Sequence, residues 1–269
     1  FDASSKAKER GLNVVRDYFN YDTAHRLLKT HPMPDVIVCQ NVLEHIEALN
    51  DFMAGIASLL KPKGTLLLEV PDLDYLCANG DISLIWEEHV NYFSEDTLAY
   101  LCRINGLNPL KFMRFHFSGQ GLVMIAQKDN VKTENSEFTK AGKREEEFLA
   151  RDEKYKAKLF SLLEQKKASG AKIGIYGAGA RANILINAFN LERYVSVVID
   201  DQPEKQNKFL PKSHLAILPR SALLEEKVDL CFLAVNEESE IALIKNNSEF
   251  LKLGGEFKSL LPGSPLCIG

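Results

Sequence analysis

Asp35-Val36-Ile37-Val38-Cys39-Gln40-Asn41 opens a stretch that runs to Pro71 and decides the fold of the first part of the chain. Its unbroken apolar run reads as a buried strand of a parallel sheet, and it ends in a polar turn, the place where open α/β sheets bind ligands. Glu44-His45-Ile46 follows, then an amphipathic helix through Leu59-Leu60. The turn Lys61-Pro62-Lys63-Gly64 stops that helix and reverses the chain into a second strand, Thr65–Val70. Strand, helix, turn and strand in this order make one unit of an α/β domain.

The same alternation extends on both sides. Asn13–Val15 and Leu122–Gln127 are expected as further strands. From Val131 to Ala168 the composition changes, with Lys, Arg and Glu interleaved around Phe138, Phe148, Tyr155, Leu159, Leu162 and Leu163, the pattern of a long connecting helix with one buried stripe. After Gly170 a second α/β pattern begins. Lys172–Tyr176, Val195–Ile199 and Leu230–Val235 read as strands and Arg181–Phe189 as a helix. The expected organisation is an α/β domain over 1–130, a connecting helix over 131–170 and a Rossmann-like α/β domain over 171–269. Phe1-Asp2-Ala3-Ser4 reads as the end of a strand entering a helix, so the first domain is expected to lack a strand and a glycine-rich turn as the C-terminal part of a longer protein.

Composition narrows the classes. Hydrophobic residues are 45% and charged residues 26% of the chain, and no apolar run reaches the roughly 20 residues needed to cross a bilayer, so no membrane partner is expected. The 33 Lys and Arg against 37 Asp and Glu give a net charge of -4, which offers no broad attraction to nucleic acid. Cys39, Cys77, Cys102, Cys231 and Cys267 form no Cys-x-x-Cys pair, which fits reduced thiols in the cytoplasm and no zinc site.

The chemistry is concentrated in Leu84-Ile85-Trp86-Glu87-Glu88-His89-Val90-Asn91-Tyr92-Phe93-Ser94, where carboxylates and an imidazole sit side by side before an amphipathic helix. An imidazole titrates at about 6.5 when unperturbed and accepts a proton at neutral pH. A lone His before a helix is more often a cap or surface residue. Ser94, Glu95 and Asp96 read as helix capping and dipole residues, Tyr92 and Phe93 as packing.

With the Lys61–Gly64 turn and its flanking strands, the stretch from Asp35 to Pro71 resembles the second half of a class I S-adenosylmethionine-dependent methyltransferase. Trp86-Glu87-Glu88-His89-Val90-Asn91-Tyr92-Phe93-Ser94 with Thr97-Leu98, then Gly119-Gln120-Gly121-Leu122, Gly177-Ala178-Gly179-Ala180 and Asp200 to Leu210-Pro211 narrow the resemblance to the sugar C-methyltransferase family. The resemblance implies a class I methyltransferase-like Rossmann domain, incomplete at its N-terminus, followed by a second Rossmann-like domain. It implies methylation of a carbon of a nucleotide-linked keto-sugar. The family's cysteine-rich zinc module and first glycine loop are missing from this sequence, and Trp86 stands where the family usually has Tyr.

A carbon beside a ketone is a weak acid, so a base must take its proton while a donor holds the enolate oxygen. His89 is the expected base and His45, after the Asn41 turn, its rival; Glu88 would orient His89 or hold a sugar hydroxyl. Trp86 cannot accept a hydrogen bond as Tyr can, although its indole N–H can donate. The same topology gives Asp2 to the ribose of S-adenosylmethionine, Asp17 and Tyr18 to its adenine, and Gln40 and Asn41 to its amino-acid end. Asn91 is expected to meet substrate. Gly177-Ala178-Gly179-Ala180-Arg181-Ala182 fits G-x-G-x-x-A after a strand, with Asp200 ending the next strand. Gly177, Gly179, Arg181 and Lys205 are therefore expected at the diphosphate of a nucleotide-sugar. Read alone, this turn also admits an NAD-dependent oxidoreductase, and the whole chain a non-catalytic nucleotide-sugar binder.

Overall fold

The computed structural model describes residues 3–85, 87–116, 120–129 and 141–268. In chain order the first elements are α1 (Ala3–Glu9), α2 (Tyr21–Leu28), β1 (Val36–Gln40), α3 (Leu49–Leu59), β2 (Thr65–Pro71) and α4 (Leu73–Asn79). Next come α5 (Glu95–Ile104), β3 (Leu107–His116), β4 (Gln120–Lys128), α6 (Ala141–Ala168), β5 (Ile173–Tyr176) and α7 (Ala180–Phe189). The chain closes with β6 (Val195–Ile199), β7 (Ile217–Leu218), α8 (Ala222–Glu225), β8 (Leu230–Leu233), α9 (Glu237–Asn246), α10 (Ser248–Lys252) and β9 (Glu256–Ser259). Two compact units result. The first comprises Phe1–Val70, Glu95–Met113 and Val123–Ser136, and the second Pro71–Ser94, Arg114–Leu122 and Glu137–Gly269.

In the first unit the sheet order is β1-β2-β4-β3. β1 and β2 are parallel, with Val36 opposite Thr65 and Gln40 opposite Glu69. That register sets two polar side chains next to each other at the carboxyl end of both strands. α3 buries Phe52, Met53 and Ile56, and the Phe52 ring meets Phe19 edge-on at 5.3 Å. The Lys61–Gly64 turn closes by Gly64 N–H donating to Lys61 O at 2.8 Å, with Lys63 in the left-handed region at φ 63°.

Two sequence expectations change here. The apolar run of β1 predicts burial on both faces, yet Val36 and Val38, which share one face of the sheet, are 56% and 57% exposed. Asn13–Val15 is not a strand. No neighbour pairs with it among the described residues, and Leu12 and Val15 face solvent. β3 in turn escapes the pattern, since Asn108 and Pro109 interrupt its apolar run.

In the second unit β7-β6-β5-β8-β9 form a wholly parallel sheet. The fully buried strands β5 and β8 lie at its centre, as their Ile173–Tyr176 and Leu230–Leu233 runs dictate. α6 lays Tyr155, Leu159 and Leu163 into the core beside Leu185, Phe189 and Leu260, and each buried leucine contributes about 1.5–3 kcal/mol. Tyr155 Oη also donates to Leu260 O at 2.7 Å. α4 packs on α6 and ends at Gly80, φ 64°, where a Cβ would lie 2.8 Å from Asp152 N. Only glycine allows both the turn and that approach.

Candidate active site

In the first unit the polar corner at the end of β1 is built around a residue the sequence reading missed. Asn41 turns the chain in the left-handed region, φ 50°, and its N–H donates to Glu69 O at 3.0 Å. Gln40 Nε2 donates to Glu69 Oε2 at 2.6 Å and Asn41 Nδ2 to Oε1 at 3.4 Å. Glu69 is buried, and the signal for it was a carboxylate inside the otherwise apolar Thr65–Val70 run. Just beyond, Glu44 is buried and its carboxyl is pushed above the usual range, first by desolvation. His45 Nε2 stands 3.9 Å from Glu44 Oε1, with about a third of the side chain exposed. Asp17 accepts from Tyr18 N–H at 2.9 Å and pairs with Arg26, while the Tyr18 side chain points into solvent, 91% exposed. Asp2 lies outside the described residues.

The second unit carries the Glu87-Glu88-His89 segment. Glu87 and Glu88 are exposed, His89 and Asn91 half-buried, and the His89 ring meets Tyr92 at 6.0 Å and 66°. Trp86 lies outside the described residues, as does Gly119. The segment is pinned at both ends. Behind it, Leu73 N–H donates to Phe93 O at 2.9 Å, and buried Ser94 Oγ lies 3.2 Å from Arg144 Nη1. Arg144 Nε in turn holds Asp74 at 2.8 Å, and Arg114 Nε holds buried Asp72 at 2.6 Å. Ahead of it, Asp81 accepts from Ser83 N–H at 2.9 Å and Ser83 Oγ at 2.5 Å, closing a one-turn helix at Ile82–Leu84.

The glycine turn lies in the same unit. Gly177 adopts φ 110°, and a Cβ there would sit 2.7 Å from Ala234 O. Gly179, at the N-cap of α7, has no side chain to cap the helix, so first-turn N–H groups are open to another acceptor. A cavity of about 620 Å³ adjoins this helix end, lined by Gly177, Gly179, Arg181, Asp201, Lys205 and Asn236 among others. Asp200 is committed internally. Its Oδ2 accepts from Ala178 N–H at 2.8 Å and from Lys205 Nζ at 3.2 Å, and its Oδ1 from Gln202 N–H at 2.9 Å. Arg181 turns its Nε to Ser83 Oγ at 2.8 Å and its Nη2 to Asp81 at 2.6 Å. On the cavity wall Tyr176 Oη donates to Asp201 at 2.7 Å; burial, then this bond, pushes the phenol up to about 12. Hydrogen bonding from Arg220 holds the Asp201 carboxyl below the ordinary range.

Residues 124–262 match a family model described as the C-methyltransferase C-terminal domain, and residues 1–111 match a methyltransferase domain. C-methyltransferase NovU of Streptomyces niveus is 26% identical over 270 residues, covering 95% of this chain. The chain spans 64% of the length of that relative. Among solved structures, a SAM-dependent methyltransferase of Archaeoglobus fulgidus is 18% identical with a TM-score of 0.37, over 46% of this chain and 71% of that one. A 1,6-didemethyltoxoflavin-N1-methyltransferase of Burkholderia thailandensis, solved with S-adenosylhomocysteine, is 22% identical with a TM-score of 0.29, over 35% of this chain and 44% of that one. With more than half of its length inside the first family model and a methyltransferase domain ahead of it, the chain belongs to the C-methyltransferase family.

Proposed function

We propose that this chain is the major part of an S-adenosylmethionine-dependent C-methyltransferase whose acceptor is a carbon beside the ketone of a nucleotide-linked keto-sugar. The observation that carries the reading is the C-methyltransferase model over 124–262 behind a methyltransferase domain. Methylating carbon requires a base, and the chain offers His89 in a segment pinned at both ends.

S-adenosylmethionine, when bound, supplies an electrophilic methyl group. The corner of the first unit fits its amino-acid end, because Glu69 is an acceptor for an ammonium and the Gln40 and Asn41 amides are donors for a carboxylate. Asp2, Asp17 and Tyr18 complete the cofactor residues in this reading, within residues 1–130. His89 takes the proton from the acidic carbon, and Glu88 orients the imidazole or holds a sugar hydroxyl. Trp86, in the same segment, brings an indole N–H that can donate but not accept. His45, beside buried Glu44, is the second candidate base. Asn91 binds substrate. In the Rossmann-like domain of 171–269, which follows α6, the turn at Gly177 and Gly179 with Arg181 and Lys205 holds the diphosphate. The commitment of Asp200 to Ala178, Gln202 and Lys205 supports a substrate nucleotide over NAD, whose ribose would claim that carboxylate.

The test is transfer of a ¹³C-labelled methyl group from S-adenosylmethionine to a panel of uridine, thymidine and guanosine diphosphate keto-sugars. A product whose label is bonded to a ring carbon is expected. Label on oxygen or nitrogen alone would sink the reading.

A further inference from the structure

We propose that Arg181 is a positioning residue that couples the glycine-turn cavity to the placement of the base segment, acting through Asp81 and Ser83. The inference rests on the function proposed above and adds a mechanism to it. Arg181 lines the cavity, and two of its three nitrogens are bonded to the Asp81–Ser83 turn that precedes Ile85–His89 in the chain. Its side chain is 12% exposed and that of Asp81 only 1%, so the ion pair is drawn almost wholly out of water.

Such a pair is an expensive way to hold two elements together, because desolvating both charges offsets most of their attraction. Its position is also unusual. Arg181 is in the first turn of α7, where the helix dipole disfavours a cation. The Asp81 carboxylate compensates, and Asp81 already organises the Ile82–Leu84 turn through the Ser83 N–H and hydroxyl. Ser83 Oγ closes the circuit by donating to Asp81 and accepting from Arg181 Nε. One guanidinium thus fixes both ends of a path from cavity wall to base segment. Its third nitrogen, Nη1, is buried without a hydrogen-bond partner among the described residues. An anion entering the cavity at the start of α7 meets the residue whose guanidinium grips Asp81. Anchoring the diphosphate then tightens the turn ahead of His89, so the base is set in place when the substrate is seated.

Hydrogen exchange read by mass spectrometry on the full chain tests this with UDP, dTDP and GDP as probes. The diphosphate that binds should slow exchange in peptides covering 177–182 and 81–92 together. Arg181→Lys, whose ammonium can reach Asp81 but cannot also reproduce the bond to Ser83, should keep the first protection and lose most of the second. With a keto-sugar it should lower kcat by about 10²-fold, the scale of an ångström-sized misplacement, and leave KM for S-adenosylmethionine unchanged. Ser83→Ala, which removes only a hydroxyl, gives the same comparison if Arg181→Lys does not fold. Protection at 177–182 with none at 81–92 in the unaltered protein overturns the coupling and leaves the proposed function standing. Carbon methylation of a keto-sugar with protection at neither segment removes the diphosphate from this cavity and overturns the coupling with it.

Discussion

His89 is half-buried between two anchored ends, so its substitution separates shape from chemistry. His89→Asn should fold with an unchanged melting temperature and lose about 10²–10⁴-fold in methyl transfer, the usual contribution of a general base. Turnover near the original level would move the base to His45. Glu240 gives a pH test. Its buried carboxyl, held by Ser264 Oγ at 2.6 Å, is pushed above the ordinary value of 4.5, chiefly by desolvation. The folded protein therefore binds this proton more tightly than the unfolded chain, and Glu240 adds stability as pH falls from above its folded value toward 4.5. The melting temperature of the unaltered protein relative to Glu240→Gln should rise as pH is lowered through that window. A difference that is flat or falls would show that Glu240 is not held in its neutral form.

At the scale of elements, what was legible followed local chemistry. Thr65–Val70, Val195–Ile199 and the helix after Gly179 declared themselves through apolar runs and breakers, and the structure has β2, β6 and α7 there. β7 and β9 are too short or too charged to show a period, and Glu256 on β9 is satisfied by an ion pair at 2.9 Å with Lys166, 90 residues away, that no local pattern encodes. The candidate site divides likewise. The His89 segment and the glycine turn were readable because their spacing is local, whereas Glu69 beside Gln40 and Asp81 beneath Arg181 depend on strand register and on elements 100 residues apart. The strained turn makes the next prediction. Gly177→Ala combines a φ of 110° with a Cβ 2.7 Å from a carbonyl oxygen, so it should destabilise the protein by about 1–3 kcal/mol. Urea unfolding measures it, and a loss well under 1 kcal/mol would show that the turn relaxes freely.

For the whole molecule, ligand linkage is the most direct measure. Asp17 is spent on Arg26 and Tyr18 stands in solvent, so the described cofactor residues act mainly through the Gln40–Asn41–Glu69 corner. Calorimetry should find S-adenosylmethionine bound weakly by this chain, near 0.1–1 mM or about 4–5.5 kcal/mol. Binding in the low micromolar range would show that more of the cofactor cradle is present than those residues supply. A nucleoside diphosphate at 100 times its dissociation constant should stabilise the fold by about 2.7 kcal/mol, and millimolar NAD should not. The reverse pattern would favour the oxidoreductase.

The exposed side of β1 has a separate consequence for handling the protein. Val36 and Val38 stand out from a terminal strand that is hydrogen-bonded to β2 on one side only among the described residues. Bare β-edges recruit strands from other chains, and Val36–Gln40 carries no charged side chain. Concentrated solutions of this polypeptide should therefore scatter light increasingly with time, and Val38→Lys should slow that growth while changing the free energy of unfolding by no more than about 0.5 kcal/mol. The same edge would then be the first place to engineer for a sample that must survive crystallisation or long spectroscopy.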